Sequence, residues 1–145
     1  MIALIATAAA ATLTVGTDAD TLQAALDAAG PDDTISLPAG THAGCVTSGG
    51  TVTIEGAGPS RTTIRSEGCE TGFAHTGGEL SITGVSLVSP GGRALSVTAA
   101  TATLLDVTVR DSGGPRLTGG GVYLKDSDTT LTNARLTNNR AERGG

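Results

Sequence analysis

The sequence predicts an all-β chain, wound as a solenoid of short parallel strands with one helix at its N-terminal end. Three observations predict it. Aromatic residues make up only 1% of the 145 residues: one Tyr, one Phe and no Trp. A compact core usually draws on large rings, whereas stacked short strands need only a thin aliphatic filling. The β-branched residues fall in runs of three or four, set apart by Gly-Gly pairs at 49–50, 77–78, 91–92, 113–114, 119–120 and 144–145. That pattern suits short strands joined by tight turns. Finally, a strand unit recurs at separations of 22 to 28 residues, the period range of repeat architectures.

Taken in order, Met1 to Ala11 is apolar or small apart from Thr7. The run is too short to span a bilayer. It reads as the apolar part of a secretory leader, with Ala8-Ala9-Ala10 supplying small residues for cleavage but no basic residues ahead of it. Residues 12–145 then form the structural unit. Only one stretch reads as helix, near residues 21–29. Asp20 is placed to cap it, with Gln23 at the capping-box spacing. Leu22, Ala25, Leu26 and Ala29 share a face, and Gly30-Pro31 ends it. Asp32-Asp33 turns the chain into a strand at Thr34 to Leu37. Further strands are expected at Thr51 to Ile54, Thr62 to Ile64, Leu80 to Ile82, Val85 to Val88, Ala94 to Val97 and Thr103 to Leu105. The last four fall at Val107 to Val109, Val122 to Leu124, Thr130 to Thr132 and Ala134 to Leu136.

The repeat emerges when these strands are aligned. Residues 80–87, 102–109 and 129–136 superimpose, and residues 52–57 fit the first half of the unit. One column then holds Gly56, Gly84, Asp106 and Asn133. Gly, Asp and Asn tolerate the left-handed conformation, so the column marks a corner where every coil bends. Ile54, Ile82, Leu104 and Leu131 would stack inward before it, and Val85, Val107 and Ala134, or Leu87, Val109 and Leu136, after it. A second alignment sets residues 91–97 over 119–125, an offset of 28, with a third copy opening at Arg143. The expectation is a chain truncated inside a repeat, with an open C-terminal coil through which copies self-associate.

These residues resemble the right-handed parallel β-helix, or pectin-lyase-like, superfamily. Thr14-Val15, Asp20 to Gly30 and Asp32 to Gly40 resemble its N-terminal cap, in which an amphipathic helix plugs the open end of the coil. Thr51 to Ser66 resembles the first coils. The Gly-Gly units and the closing segment 138–145 look like repeats of bacterial polymorphic outer-membrane and other surface β-helices. The resemblance is specific for architecture and weak for function, because one fold hosts many activities.

The formal charge of −5 and a single lysine argue against nucleic-acid binding. Cys45 and Cys69 lie 24 positions apart, near one coil, and each follows a Gly. They are expected to pair in an exported protein, which in the chain-entropy model adds about 3 kcal/mol; the alternative is two buried thiols packed as small apolar groups. Pectate lyases of the superfamily use acidic residues for Ca²⁺ and an Arg as base. The nearest cluster here is Asp106, Arg110 and Asp111, offered as a binding candidate, although corner and turn roles account for both acids. Asp126-Ser127-Asp128 is half of a Ca²⁺ loop at best and reads as a polar turn, so no cofactor is expected. His42 and His75 stand alone, and neither Ser48 nor Ser112 sits in Gly-x-Ser-x-Gly. Asn133, Asn138 and Asn139 read as turn ladders before sugar contacts. An ice-binding surface would need a regular outward Thr array; the Thr positions are read as keeping no single register through the coils, which argues against such a surface.

The leading expectation is a non-catalytic, secreted or cell-surface module for attachment or glycan contact, without a transmembrane span. Its partner would be an extracellular polysaccharide or a surface component. The alternative is the N-terminal part of a polysaccharide lyase or hydrolase acting on pectin-like polymers.

Overall fold

The computed structural model describes residues 9–144, so most of the expected leader lies outside the described residues. Within them the chain is almost entirely strand. β1 spans Thr12–Thr14 and is followed by helix α1, Leu22–Ala28. Four strands come next: β2 Thr34–Leu37, β3 Gly40–Ala43, β4 Val46–Gly49 and β5 Val52–Gly56. The middle coils hold β6 Thr62–Arg65, β7 Thr71–Thr76, β8 Glu79–Thr83, β9 Ser86–Pro90 and β10 Arg93–Thr98. The remaining strands are β11 Thr101–Leu105, β12 Thr108–Gly113, β13 Val122–Lys125, β14 Asp128–Thr132 and β15 Arg135–Thr137.

Apart from β1 and β2, which are joined through α1, no strand pairs with the next strand in the chain. Each pairs in parallel with a strand one coil away, which builds three sheets. The first contains β1, β2, β5, β8, β11 and β14; the second β3, β6, β9, β12 and β15; the third β4, β7, β10 and β13. This is the coiled connectivity of an all-β solenoid. It satisfies the backbone between coils, which is why three or four residues per strand suffice.

The core is a set of aliphatic columns. Ile35, Ile54, Ile82 and Leu104 lie in register on the first sheet, and Ile64, Leu87 and Val109 on the second. Phe73 stacks under Leu95 on the third. All are buried. Each such side chain contributes about 1.5–3 kcal/mol on removal from water. The first two columns end on the exposed Leu131 and Leu136, and a further column of the third sheet, through His75 and Val97, ends on the exposed Leu124, because no described strand lies beyond β13, β14 and β15. The expected core positions Leu131 and Leu136 are therefore about half exposed.

Helix α1 carries Leu22 and Ala25 into the core, with Leu26 and Ala29 packed partly against it. Thr21, rather than Asp20, is the N-cap: its side chain accepts from the Ala24 N–H at 3.1 Å. Gln23 makes no capping box. Its amide clasps the Thr47 backbone on β4, accepting from N–H at 2.8 Å and donating to C=O at 3.0 Å. Asp33 closes the helix exit, accepting from the Ala11 and Gly30 N–H groups. Those two bonds hold its carboxyl below the ordinary range.

The corner column is real in register, and its members act differently. Gly84, Asp106 and Asn133 adopt positive φ, at 68°, 52° and 51°. Gly56 does not. Its coil turns through the longer segment 57–61, which removes the need for a left-handed residue there. A Cβ on Gly56 would instead meet the Gly84 carbonyl oxygen and come within 2.6 Å of Val85 Cγ1. The coils approach too closely at this corner for any side chain. Gly50, Gly77, Ala99 and Asp126 form a second positive-φ column between the third and first sheets.

Two alignments shift on folding. Leu95 pairs with Val122, an offset of 27, so the expected superposition of 91–97 on 119–125 is one residue out. Cys45 and Cys69 form the disulfide, with a Cα–Cα distance of 6.2 Å. They do not stack in register, since Val46 pairs with Phe73. Cys69 reaches back from the turn ahead of β7, and Gly44 and Gly68 hold positive φ beside the two cysteines.

Candidate functional site

The second sheet carries the larger of two features with chemical potential. Its outer face presents Thr41, Thr63, Ser86, Thr108 and Arg135 in one column. Ala43, Arg65, Val88, Arg110 and Thr137 form the next. The loop 57–61 overhangs this face. Ser86 Oγ donates to the Pro59 carbonyl at 2.5 Å, which ties the loop down and buries Ser86. The result is a groove of about 600 Å³ lined by Pro59, Ser86, Thr108, Arg110, Arg135 and Asn138, among others. Hydroxyls, an amide and two guanidinium groups thus converge along one strip. Such a lining donates many hydrogen bonds and carries local positive charge on an otherwise acidic chain.

The predicted cluster splits across this groove. Arg110 lies in its wall, and its guanidinium meets the Asp111 carboxylate at 2.7 Å. That bond, with help from Asn138, holds the Asp111 carboxyl below its usual range. Asp111 does not begin a turn. It is the bulged residue inside β12, with φ 52°, where the register shifts between Arg110 and Gly113. Asp106 sits at the corner before β12 and does not line the groove. Its backbone conformation accounts for it.

The bulge also aligns a buried polar ladder. Ser112 Oγ accepts from the Ser89 N–H at 2.8 Å and donates to Arg110 O. Asn139 accepts from the Ser112 N–H and donates to Val109 O. Asn139 is therefore a ladder residue, whereas Asn138 faces the groove and bonds Asp111 at 3.4 Å. Ser127 likewise caps the 126–128 turn by donating to the Lys125 and Val97 carbonyls. Among the described residues no three acids, histidines or cysteines group as metal ligands.

The second feature is a pair that the sequence did not reveal. His75 is buried in the third sheet's inner column, and Ser48 Oγ lies 2.8 Å from its Nδ1. Nε2 has no hydrogen-bond partner among the described residues. Burial pushes the imidazole's pKa below its ordinary value. Ser48 borders a cavity of about 340 Å³ under α1. The only signal was the 27-residue separation, one coil, and β7 itself was not anticipated. His42 is separate, with Nε2 2.8 Å from the Pro38 carbonyl oxygen.

The first sheet overturns the reading of the threonines. Successive pairings align Thr12, Thr34, Thr53, Ser81, Thr103 and Thr130 at one position. Their separations along the chain run from 19 to 28 residues. Unequal turn lengths therefore hid a column that the fold restores.

No protein-family model matches the chain, and no curated protein matches it significantly. No described helix is long and apolar enough to cross a membrane.

Proposed function

We propose that the chain is a right-handed parallel β-helix module of the pectin-lyase-like kind, exported and used for glycan contact in attachment. In this reading α1 plugs the N-terminal end of the coil. The disulfide and the all-parallel coil support an extracellular setting, where cystines persist and rigid solenoids present long surfaces. The observation that carries the glycan reading is the groove on the second sheet. Thr108, Thr137 and Asn138 offer short-range polar contacts, and Arg110 and Arg135 offer forked donors. Sugar rings present hydroxyls at comparable density along a polymer, so a polar strip running across strands suits an extended chain.

The test is binding of the oxidised protein to a panel of soluble and insoluble polysaccharides. Arg110→Ala and Arg135→Ala together should weaken binding about tenfold or more, since a charged hydrogen bond is worth about 1.5–3 kcal/mol. Binding unchanged in the double variant, or no binding to any polysaccharide, would reject the reading.

A further inference from the structure

We infer that the outer face of the first sheet is an ice-binding surface, independent of the groove on the second. The face is a two-dimensional array of hydroxyls. One column holds Thr12, Thr34, Thr53, Ser81, Thr103 and Thr130; two residues further along each strand lie Thr14, Ser36, Glu55, Thr83, Leu105 and Thr132. Ten of these twelve positions carry a hydroxyl. The intervening Ile35, Ile54, Ile82 and Leu104 are buried. Strand alternation therefore turns both columns outward. All six residues of the first column are at least partly exposed. None of their hydroxyls bonds to another described protein group, in contrast to Ser86 of the second sheet, which is committed to Pro59.

The spacing makes this array a candidate for ordered water. Parallel strands repeat at about 4.8 Å, and alternate residues along a strand at about 6.6 Å. Both repeats are close to those of oxygen rows on faces of hexagonal ice. The six strands keep one register, whereas the second sheet slips at Arg110/Gly113. Thr supplies a methyl group that pockets between water rows and a hydroxyl that joins them, and its χ1 is stiff. A rigid array meets a lattice without losing side-chain freedom on binding.

General strand preference does not explain the face. Exposed strand positions accept Val, Ile, Tyr and Phe as readily as Thr, and the twelve positions contain none of these. A crystalline polysaccharide is the other flat, periodic partner. Such surfaces are gripped by aromatic rings, and this face has none: Phe73 is in the core, and Tyr123 lies on the third sheet under Arg93. The one charge within the two columns is Glu55.

The experiment uses the full, oxidised chain. Partition into a slowly growing ice front and crystal shaping with thermal hysteresis are measured for the native protein, Thr53→Tyr, Thr103→Lys and Thr63→Tyr, the last on the second sheet. Melting and circular dichroism establish that each is folded. The expected result is enrichment in ice and a measurable hysteresis, both lost in Thr53→Tyr and Thr103→Lys and kept in Thr63→Tyr. The double variant Arg110→Ala/Arg135→Ala keeps both, which separates this surface from the glycan groove. Exclusion of the folded native protein from ice overturns the inference. So do equal effects of the first-sheet and second-sheet variants. Sedimentation with microcrystalline cellulose or chitin, lost in the first-sheet variants and unaccompanied by ice enrichment, overturns it in favour of a solid glycan.

Discussion

At the scale of single residues, the two glycines of the first corner show that one sequence signal has two causes. Gly84 is needed both for its dihedral angle and for its missing side chain, Gly56 for the missing side chain alone. Gly56→Ala should therefore destabilise the protein by about 1–3 kcal/mol, the cost of forcing atoms into a closed contact. Asp106→Gly should be nearly neutral, because the left-handed angle is kept. Urea melts of the two variants distinguish these outcomes. His75 adds a pH effect. Its folded-state pKa lies below the ordinary 6.5, so the unfolded chain takes up a proton first as the pH falls. The stability its neutral form contributes is complete above about pH 6.5 and is lost as the pH falls through the folded value. Native protein should thus lose stability as the pH falls below about 6.5 by a component that His75→Val lacks; parallel curves for the two would count against this origin. Neither the Ser48 partner nor the burial of His75 was legible, because a lone histidine carries no periodicity.

At the scale of elements, what was legible followed from how strongly each strand is patterned. The inner columns at Ile54, Ile82 and Leu104 could be read because a β-branched or Leu residue recurs beside a recognisable corner. β3, β4 and β7 were missed. Gly40–Ala43 and Val46–Gly49 are rich in Gly, Ser and Thr, and Thr71–Thr76 breaks its apolar run with Gly72 and His75. These strands are held by ladder bonds to neighbouring coils rather than by their own propensity, and such tertiary support has no local signature. The same dependence on neighbours predicts that one substitution has unequal costs along a column. Leu104, buried between Ile82 and Leu131, should lose about 2–5 kcal/mol on Leu104→Ala. Leu131→Ala, at 46% exposure, should cost well under half as much. Equal losses in chemical denaturation would show that the last coil is packed as tightly as the middle ones.

At the scale of the whole molecule, three faces and two ends are put to different uses by one winding rule. The groove on the second sheet depends on an irregularity, the long turn 57–61. The hydroxyl array depends on regularity, six strands in step. Both arise because turn length varies between coils while the first sheet keeps its register, and this is also why sequence spacing displayed neither. The two ends differ in the same way. At one, α1 covers the core with Leu22 and Ala25. At the other, Leu124, Leu131 and Leu136 are 44–46% exposed, and each of β13, β14 and β15 has a single strand partner. Exposed apolar side chains beside unpaired N–H and C=O groups form a template for another edge. The chain 1–145, prepared as such, should therefore associate in a concentration-dependent way through this end. Leu131→Lys with Leu136→Lys places charge at two of the three columns, which disfavours edge pairing and costs little in the monomer because both sites are solvated. Sedimentation velocity over a concentration series should show larger species for the native chain and a monomer for the double variant. A native chain that stays monomeric throughout the series would mean that the last coil shields its own edge.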